Sequence, residues 1–182
     1  MKFPLADDHS ELDALLEEVF VALDEENIET IYSTLDFFWA RLAMHIRAEH
    51  LHLFPAILDA IGKPEIATKN NRVPSLTEAR KAIDELQNDH NFFMRELLAM
   101  IKQLQSLREK KANVEFSEQN ADMRFKLIFV KERLETHNRI EETEVYKWLD
   151  LLLSSAERDA LNKRMEMEIT NLPLRFDGKI FG

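Results

Sequence analysis

Apolar residues recur at spacings of three and four along most of the chain, which is the pattern of amphipathic helices. The pattern predicts a first helix that starts near Asp7 or Asp8, either of which can cap it, and that ends at a turn at Asn27. A second helix is predicted from about Ile28 to Ile61, where Gly62 and the proline that follows stop it. The first third of the chain therefore predicts a helical hairpin.

The second half of the chain predicts a similar hairpin. Residues 63–74 are expected to form the longest loop, and Ser75 with Glu78 three residues later is a capping-box start for a third helix. The polar stretch 109–118 then turns the chain, and the apolar stripe of a fourth helix leads to His137. The predicted buried face of the third helix is Ile83, Leu86, His90, Phe93, Leu97, Ile101 and Leu104.

A fifth, shorter helix is predicted at 155–170, because Ser154 with Glu157 forms another capping box. The tail 171–182 is apolar enough to pack on the bundle or on a partner subunit, so a homodimer through this helix and tail is one expectation. The predicted fold is all-α, one domain over 1–182. An antiparallel up-down-up-down four-helix bundle spans about 5–152, and the short fifth helix and tail occupy 153–182.

The composition agrees with this fold and narrows the function. Only three glycines and five prolines occur in 182 residues, and 45% of the residues are hydrophobic. A net charge of −10 argues against nucleic acid as a partner, and no apolar run approaches the length of a membrane span, so a cytoplasmic protein is expected. Because cysteine is absent, any metal bound by this chain must use nitrogen and oxygen ligands.

Four histidines are spaced so that they fall in one layer of such a bundle: His9, His45, His90 and His137. In alternating up and down helices, residues on consecutive helices share a layer only if the chain turns about halfway between them. The midpoints between these histidines all lie in turn-like or helix-breaking sequence, at 26–27, within 62–74 and at 113. We therefore expect one histidine per helix at a common depth.

Two of these histidines stand four residues before a glutamate. Residues four apart share a helix face, so His45 with Glu49, and His137 with Glu141, are expected to reach the bundle axis together. An imidazole gives one nitrogen to one ion, whereas a carboxylate can bridge two. Two ions would then have about five ligands each, from four histidines, two bridging glutamates and a bridging water or hydroxide. Each ion would keep one open coordination position. Such ligation suits iron, manganese or zinc.

A shift of 92 residues places His45 on His137, Glu49 on Glu141 and Phe54 on Tyr146, which predicts two hairpins about a pseudo-twofold axis. His52 and Glu144 lie seven residues after the ligand histidines. They are expected to point inward, either bonded to each other or with one of them binding or orienting a metal.

Three further polar residues lie close in sequence to the expected ligands. His50 and Glu142 are one position off the ligand face, which favours surface placement. Asp89 lies too far inside the third helix to cap it. It is either an acceptor for an imidazole N–H or a solvated charge.

Over about residues 5–152 the chain resembles the hemerythrin-like, or HHE cation-binding, domain. The resemblance is carried by the two HxxxE elements, the Leu53-Phe54-Pro55 after the first, the Asp-His pairs on helices 1 and 3 and the four-helix spacing. The resemblance implies a non-haem di-iron centre that binds oxygen or a related molecule, with ligands at His9, His45, Glu49, His90, His137 and Glu141. The chain departs from the oxygen carriers of this family at two places. Met94 stands where they have a further histidine, and Glu141 and Glu142 stand four and five residues after His137, where they place one aspartate at five.

These departures favour sensing or reactive chemistry over stable oxygen carriage. The leading hypothesis is a module that binds or senses O2, NO or peroxide at two iron ions bridged by oxide or hydroxide. A second is a di-iron redox enzyme that reduces peroxide or NO. A third, by resemblance, is repair of iron-sulfur centres or iron donation, although the cysteine-bearing domain common in such proteins is absent from this sequence. A metal-free scaffold is the fourth.

Overall fold

The computed structural model describes residues 3–63, 73–110 and 113–171. Nearly all of these residues are helical, and none of them lies in a β-strand, which confirms the all-α prediction. A π-helical turn follows α2 and another follows α5, so α2 with α3, and α5 with α6, form two long rods. The helices are α1 Pro4–Asp24, α2 Ile28–Ala48, α3 Phe54–Ile61, α4 Leu76–Lys110, α5 Asn113–Ile140, α6 Tyr146–Leu152 and α7 Ser155–Ile169, and the π-helical turns are Glu49–Leu53 and Glu141–Val145.

Two of the three predicted side-chain caps are present, and Asn27, which was predicted only as a turn, caps a further helix. Asn27 accepts a hydrogen bond from the backbone N–H of Thr30 at the start of α2. Ser75 and Ser154 each form the predicted capping box, at α4 and α7. The prediction for α1 was wrong, because this helix starts at Pro4 and uses no side-chain cap. Proline tolerates the first turn, where its missing N–H has no partner in any case.

The four long rods enclose one polar layer between two apolar clusters. α1 contacts α2, α2 contacts α4, α4 contacts α5, and α5 contacts α1, which closes a helical bundle. One cluster contains Leu12 and Phe93, and the other contains Leu5 and Leu86. His9 and His90 fall between these pairs along α1 and α4, so the histidine layer separates the clusters. The buried face predicted for α4 is confirmed at all of its seven positions.

α7 confirms the predicted fifth helix and covers one side of the bundle. It contacts α1, α2 and the first π-helical turn, and it buries Leu161 and Met165. Leu161 and Met165 therefore pack within the same chain, whereas Met167 is exposed. Two predictions fall outside the described residues. They are the dimer contact through the tail, at residues 172–182, and most of the long loop, at residues 64–72. No helix in the described ranges is long and apolar enough to cross a membrane.

Candidate metal centre

The two π-helical turns set the direction of every side chain that follows them. Each turn begins at one of the predicted bridging glutamates, and the N–H of the residue five positions later bonds to that glutamate's carbonyl. One extra residue in a turn rotates the rest of the helix by about 100° relative to an uninterrupted α-helix. His45 and Glu49 precede this rotation and stay on one face, whereas residues from 50 onward are displaced from their predicted directions.

The structure brings the four predicted histidines together as two pairs. Nε2 of His9 lies 3.2 Å from Nε2 of His45, and Nε2 of His90 lies 3.0 Å from Nε2 of His137. All four residues are at most 3% exposed. We call these two places the His9–His45 position and the His90–His137 position.

Each of the two glutamates presents one oxygen to each position. Glu49 Oε1 lies 3.5 Å from His45 Nε2, while its Oε2 lies 3.1 Å from His90 Nε2. Glu141 Oε2 lies 3.3 Å from His9 Nε2, while its Oε1 lies 3.2 Å from His137 Nε2. Both carboxylates are fully buried. Two groups of ligand atoms could each hold a metal ion: Glu49, His90, His137 and Glu141 form one, and His9, His45 and Glu141 form the other. Glu141 belongs to both groups, and Glu49 approaches the second through its Oε1, 3.5 Å from His45 Nε2.

Two of the carboxylate oxygens support a cation at this place. Glu49 Oε2 and Glu141 Oε1 are buried and make no hydrogen bond. Only the charge of an imidazole at 3.1 or 3.2 Å offsets the burial of each oxygen, and a buried carboxylate oxygen without a hydrogen-bond donor is costly because it has lost its water. A cation between these oxygens and the nearby imidazole nitrogens would remove that cost, so the donor set fits a bound metal.

The outward-facing nitrogens of two histidines contact aspartates, and this contact corresponds to the first of the two alternatives given for Asp89. Nδ1 of His45 lies 2.8 Å from Asp8 Oδ2, and Nδ1 of His137 lies 3.3 Å from Asp89 Oδ2. Because an ionised carboxylate only accepts, each Nδ1 donates, so each Nε2 presents a lone pair to the centre once its own proton is displaced by a metal. Asp8 is therefore buried beside His45 and does not cap α1.

Two arginines extend these contacts in matching ways, and sequence reasoning missed both. Arg41 pairs with Asp8, and Arg133 Nε lies 2.7 Å from Asp89 Oδ1. Each arginine stands four residues before its histidine, in RLAMH and RLETH, and the two are 92 positions apart. The repeated arginine was a visible signal. The structure thus shows an Arg–Asp–His chain twice.

The other two histidines have different partners on their outward sides. Nδ1 of His9 lies 2.8 Å from Glu142 Oε1, whereas Nδ1 of His90 lies 2.9 Å from His50 Nε2. The surface placement predicted for His50 is wrong, because this residue is half-buried against His90. Glu142 remains partly exposed, at 46% of its side chain. The π-helical turns explain both contacts, since they rotate positions 50 and 142 toward the bundle.

The same rotation moves His52 and Glu144 away from the centre. His52 Nε2 lies 3.6 Å from Glu168 Oε2 on α7, and Glu144 is exposed. The predicted inward pair of His52 and Glu144 is therefore wrong. Their predicted places are taken by Leu53 and Val145, which are fully buried.

Tyr146 is a member of the site that the sequence analysis did not single out as functional. Its hydroxyl lies 3.2 Å from Glu141 Oε2, 3.3 Å from His9 Nε2 and 3.5 Å from Glu49 Oε1. The alignment of Phe54 with Tyr146 at a shift of 92 was the available signal. A cavity of about 300 Å³ adjoins this residue and is lined in part by Phe3, Leu149, Glu142 and Tyr146.

Without a metal, the carboxylates of the site favour the protonated forms of His45 and His137. Burial opposes charge on His45, but Glu49 and Asp8 outweigh it and raise the pKa of His45 to about 10. Burial likewise opposes charge on His137, yet Glu141 and Asp89 raise its pKa to about 10. Burial would raise the pKa of Glu49, but His45 and His90 lower it well below its usual value. The metal-free site is therefore a network of paired charges.

Burial raises the pKa of Tyr146 well above its usual value, and the charges of Glu141 and Glu49 raise it further. The metal-free phenol is therefore protonated at neutral pH, and its O–H donates to Glu141 Oε2.

Together, the helical bundle and the buried cluster of histidines and glutamates define a protein with an internal metal-cation site. The chain belongs to the hemerythrin family: the family model described as the hemerythrin HHE cation binding domain matches residues 4–149. No curated protein and no solved structure gives a significant match to the chain.

Proposed function

We propose that the protein holds two iron ions, bridged by oxide or hydroxide, and uses them to bind or sense O2, NO or peroxide. The observation that supports this most directly is the sharing of carboxylates. Glu49 and Glu141 each direct one oxygen to each histidine pair, which is the arrangement that two adjacent ions require. A dinuclear iron centre supplies redox-active positions to which a small molecule can bind.

The proposed ligands are His9, His45, Glu49, His90, His137 and Glu141. The chain itself holds their imidazoles in the orientation that leaves each Nε2 free, since Asp8, Asp89, Glu142 and His50 contact the four outward nitrogens. The apolar clusters on both sides of the layer exclude bulk water from it.

The balance of charge is compatible with a pair of divalent ions. Two carboxylates and one hydroxide offset three of the four positive charges. Asp8 and Asp89 lie one contact further out and are themselves paired with Arg41 and Arg133, so they add little net charge. The buried centre is thus close to neutral without further groups.

Metal analysis of anaerobically purified protein tests the proposal, with absorption spectra recorded before and after exposure to O2 and to NO. We expect two irons per chain and a spectrum that changes with each gas. Glu141→Gln is expected to lose metal, whereas Glu144→Gln is the matched control, because it changes an exposed glutamate of the same turn. One ion per chain, or equal metal content in both variants, would contradict the dinuclear site. Repeated consumption of peroxide would instead favour an enzyme.

A further inference from the structure

Phe54 and Tyr146 occupy matching places at the two halves of the centre. Each is the first residue after a π-helical turn. Each ring also lies nearly parallel to an imidazole: Tyr146 is 5.9 Å from His9 at 23°, and Phe54 is 6.1 Å from His90 at 17°. The two halves therefore differ here by a single phenol oxygen.

That oxygen has the spacing of a metal donor. Donor atoms bound about 2.1 Å from one ion at angles of about 90 to 109° are about 3.0 to 3.4 Å from one another. His9 Nε2 is 3.2 Å from His45 Nε2 and 3.3 Å from Glu141 Oε2. The oxygen of Tyr146 is 3.2 Å from the same Glu141 oxygen and 3.3 Å from the same His9 nitrogen. It fits as one more vertex of the polyhedron around the His9–His45 position.

We propose that the Tyr146 oxygen is a further ligand of the ion at the His9–His45 position. This inference rests on the dinuclear site proposed above. On binding, the phenol releases its proton to solvent and its oxygen contributes a lone pair to the ion, with no electron transferred. The ion then has two imidazoles, two shared carboxylates and a phenolate from this chain.

The second position lacks this ligand, since Phe54 has no atom that binds a metal. His90, His137 and the two shared carboxylates supply four donors there, at spacings of 3.0, 3.1 and 3.2 Å. At the place that matches the phenol oxygen, Phe54 presents a ring without a donor atom. An exogenous small ligand therefore binds to the ion at the His90–His137 position and is excluded from the other by Tyr146.

Spectra of protein loaded with ferric iron test the inference, because a phenolate bound to Fe(III) gives a visible charge-transfer band and phenolate modes in resonance Raman spectra. The chain has only two tyrosines, Tyr32 and Tyr146. Tyr32 is buried near the start of α2 and accepts a hydrogen bond from Gln105, so Tyr32→Phe is the matched control. We expect the band in the native protein and in Tyr32→Phe, and its loss in Tyr146→Phe at unchanged iron content.

Azide titration adds a second readout that does not depend on the band. One azide per centre is expected in the native protein, two in Tyr146→Phe and none in Phe54→Tyr, in which both places carry a phenol. A native protein with two irons and no phenolate band overturns the inference and leaves the dinuclear site intact. So does a band that persists in Tyr146→Phe, or one azide in all three proteins. A native protein without iron overturns both.

Discussion

Asp8 offers a sharp test of how the chain prepares its ligands, because it joins Arg41 to His45 inside the bundle. Its side chain is 2% exposed, and its Oδ2 lies 2.8 Å from His45 Nδ1. Asp8→Asn removes the charge but keeps an oxygen that accepts the Nδ1–H. Asp8→Ala removes both. Arg41 keeps Glu11 as a partner at 2.6 Å, so neither change strands a buried cation.

Loss of such a supporting partner typically lowers metal affinity by about 10- to 100-fold, or about 1.4 to 2.7 kcal/mol. We expect Asp8→Asn near the lower end of that range and Asp8→Ala near the upper end. Asp89→Asn is the matched comparison in the other half of the centre. Its contact with His137 is longer, at 3.3 Å, and its side chain is 21% exposed, so water can replace part of what it supplies. Its effect should be smaller than that of Asp8→Asn.

Competition with a chelator of known affinity measures the effect, with metal content and thermal unfolding recorded for each variant. The native protein provides the reference curve for the release of each of its two ions. Asp8→Asn should release one ion early and the other at nearly the native concentration. Identical curves for the native protein and Asp8→Ala would refute the argument that this contact prepares His45. Equal weakening of both ions would refute the assignment of Asp8 to one position.

Three further outcomes are expected. The pKa values of His45 and His137 in the folded protein are raised to about 10. These groups therefore stabilise the metal-free protein fully below about pH 6.5 and lose that contribution as the pH rises toward 10. Urea unfolding of metal-free protein should show this decline in stability, and metal affinity should rise over the same pH range. Removing metal with a chelator should lower the unfolding temperature, and reloading should restore it; no change would contradict a site that binds only the folded state. Ser154→Ala should cost about 1 kcal/mol in denaturant unfolding through the cap of α7, with native metal content; loss of metal would show that α7 supports the centre.

Much of the fold and of the site could be predicted from local pattern. The capping boxes at Ser75 and Ser154 and the buried face of α4 were found at their predicted positions because both depend on residues within one or two helical turns. The common depth of the four histidines followed from where the chain turns. The six proposed ligands lie together as expected.

The errors in side-chain direction share one cause, which is separate from the wrong start predicted for α1. His50, His52 and Glu144 lie within the two π-helical turns and were assigned directions from a regular α-helix. One added residue changes the direction by about 100°, which exchanges inside for outside. His50 thus reached His90, and His52 reached Glu168.

The amino-acid sequence by itself determined the helices, their lengths and the level at which histidines and glutamates meet, because helical spacing and capping are local properties of the chain. Only the tertiary structure decided what surrounds those side chains. Arg41 and Arg133 reach their aspartates across helices, and Tyr146 reaches His9 over a separation of 137 residues. Such contacts depend on how the rods rotate against one another. A π-helical turn sets that rotation through a backbone hydrogen bond that the pattern of side chains does not reveal.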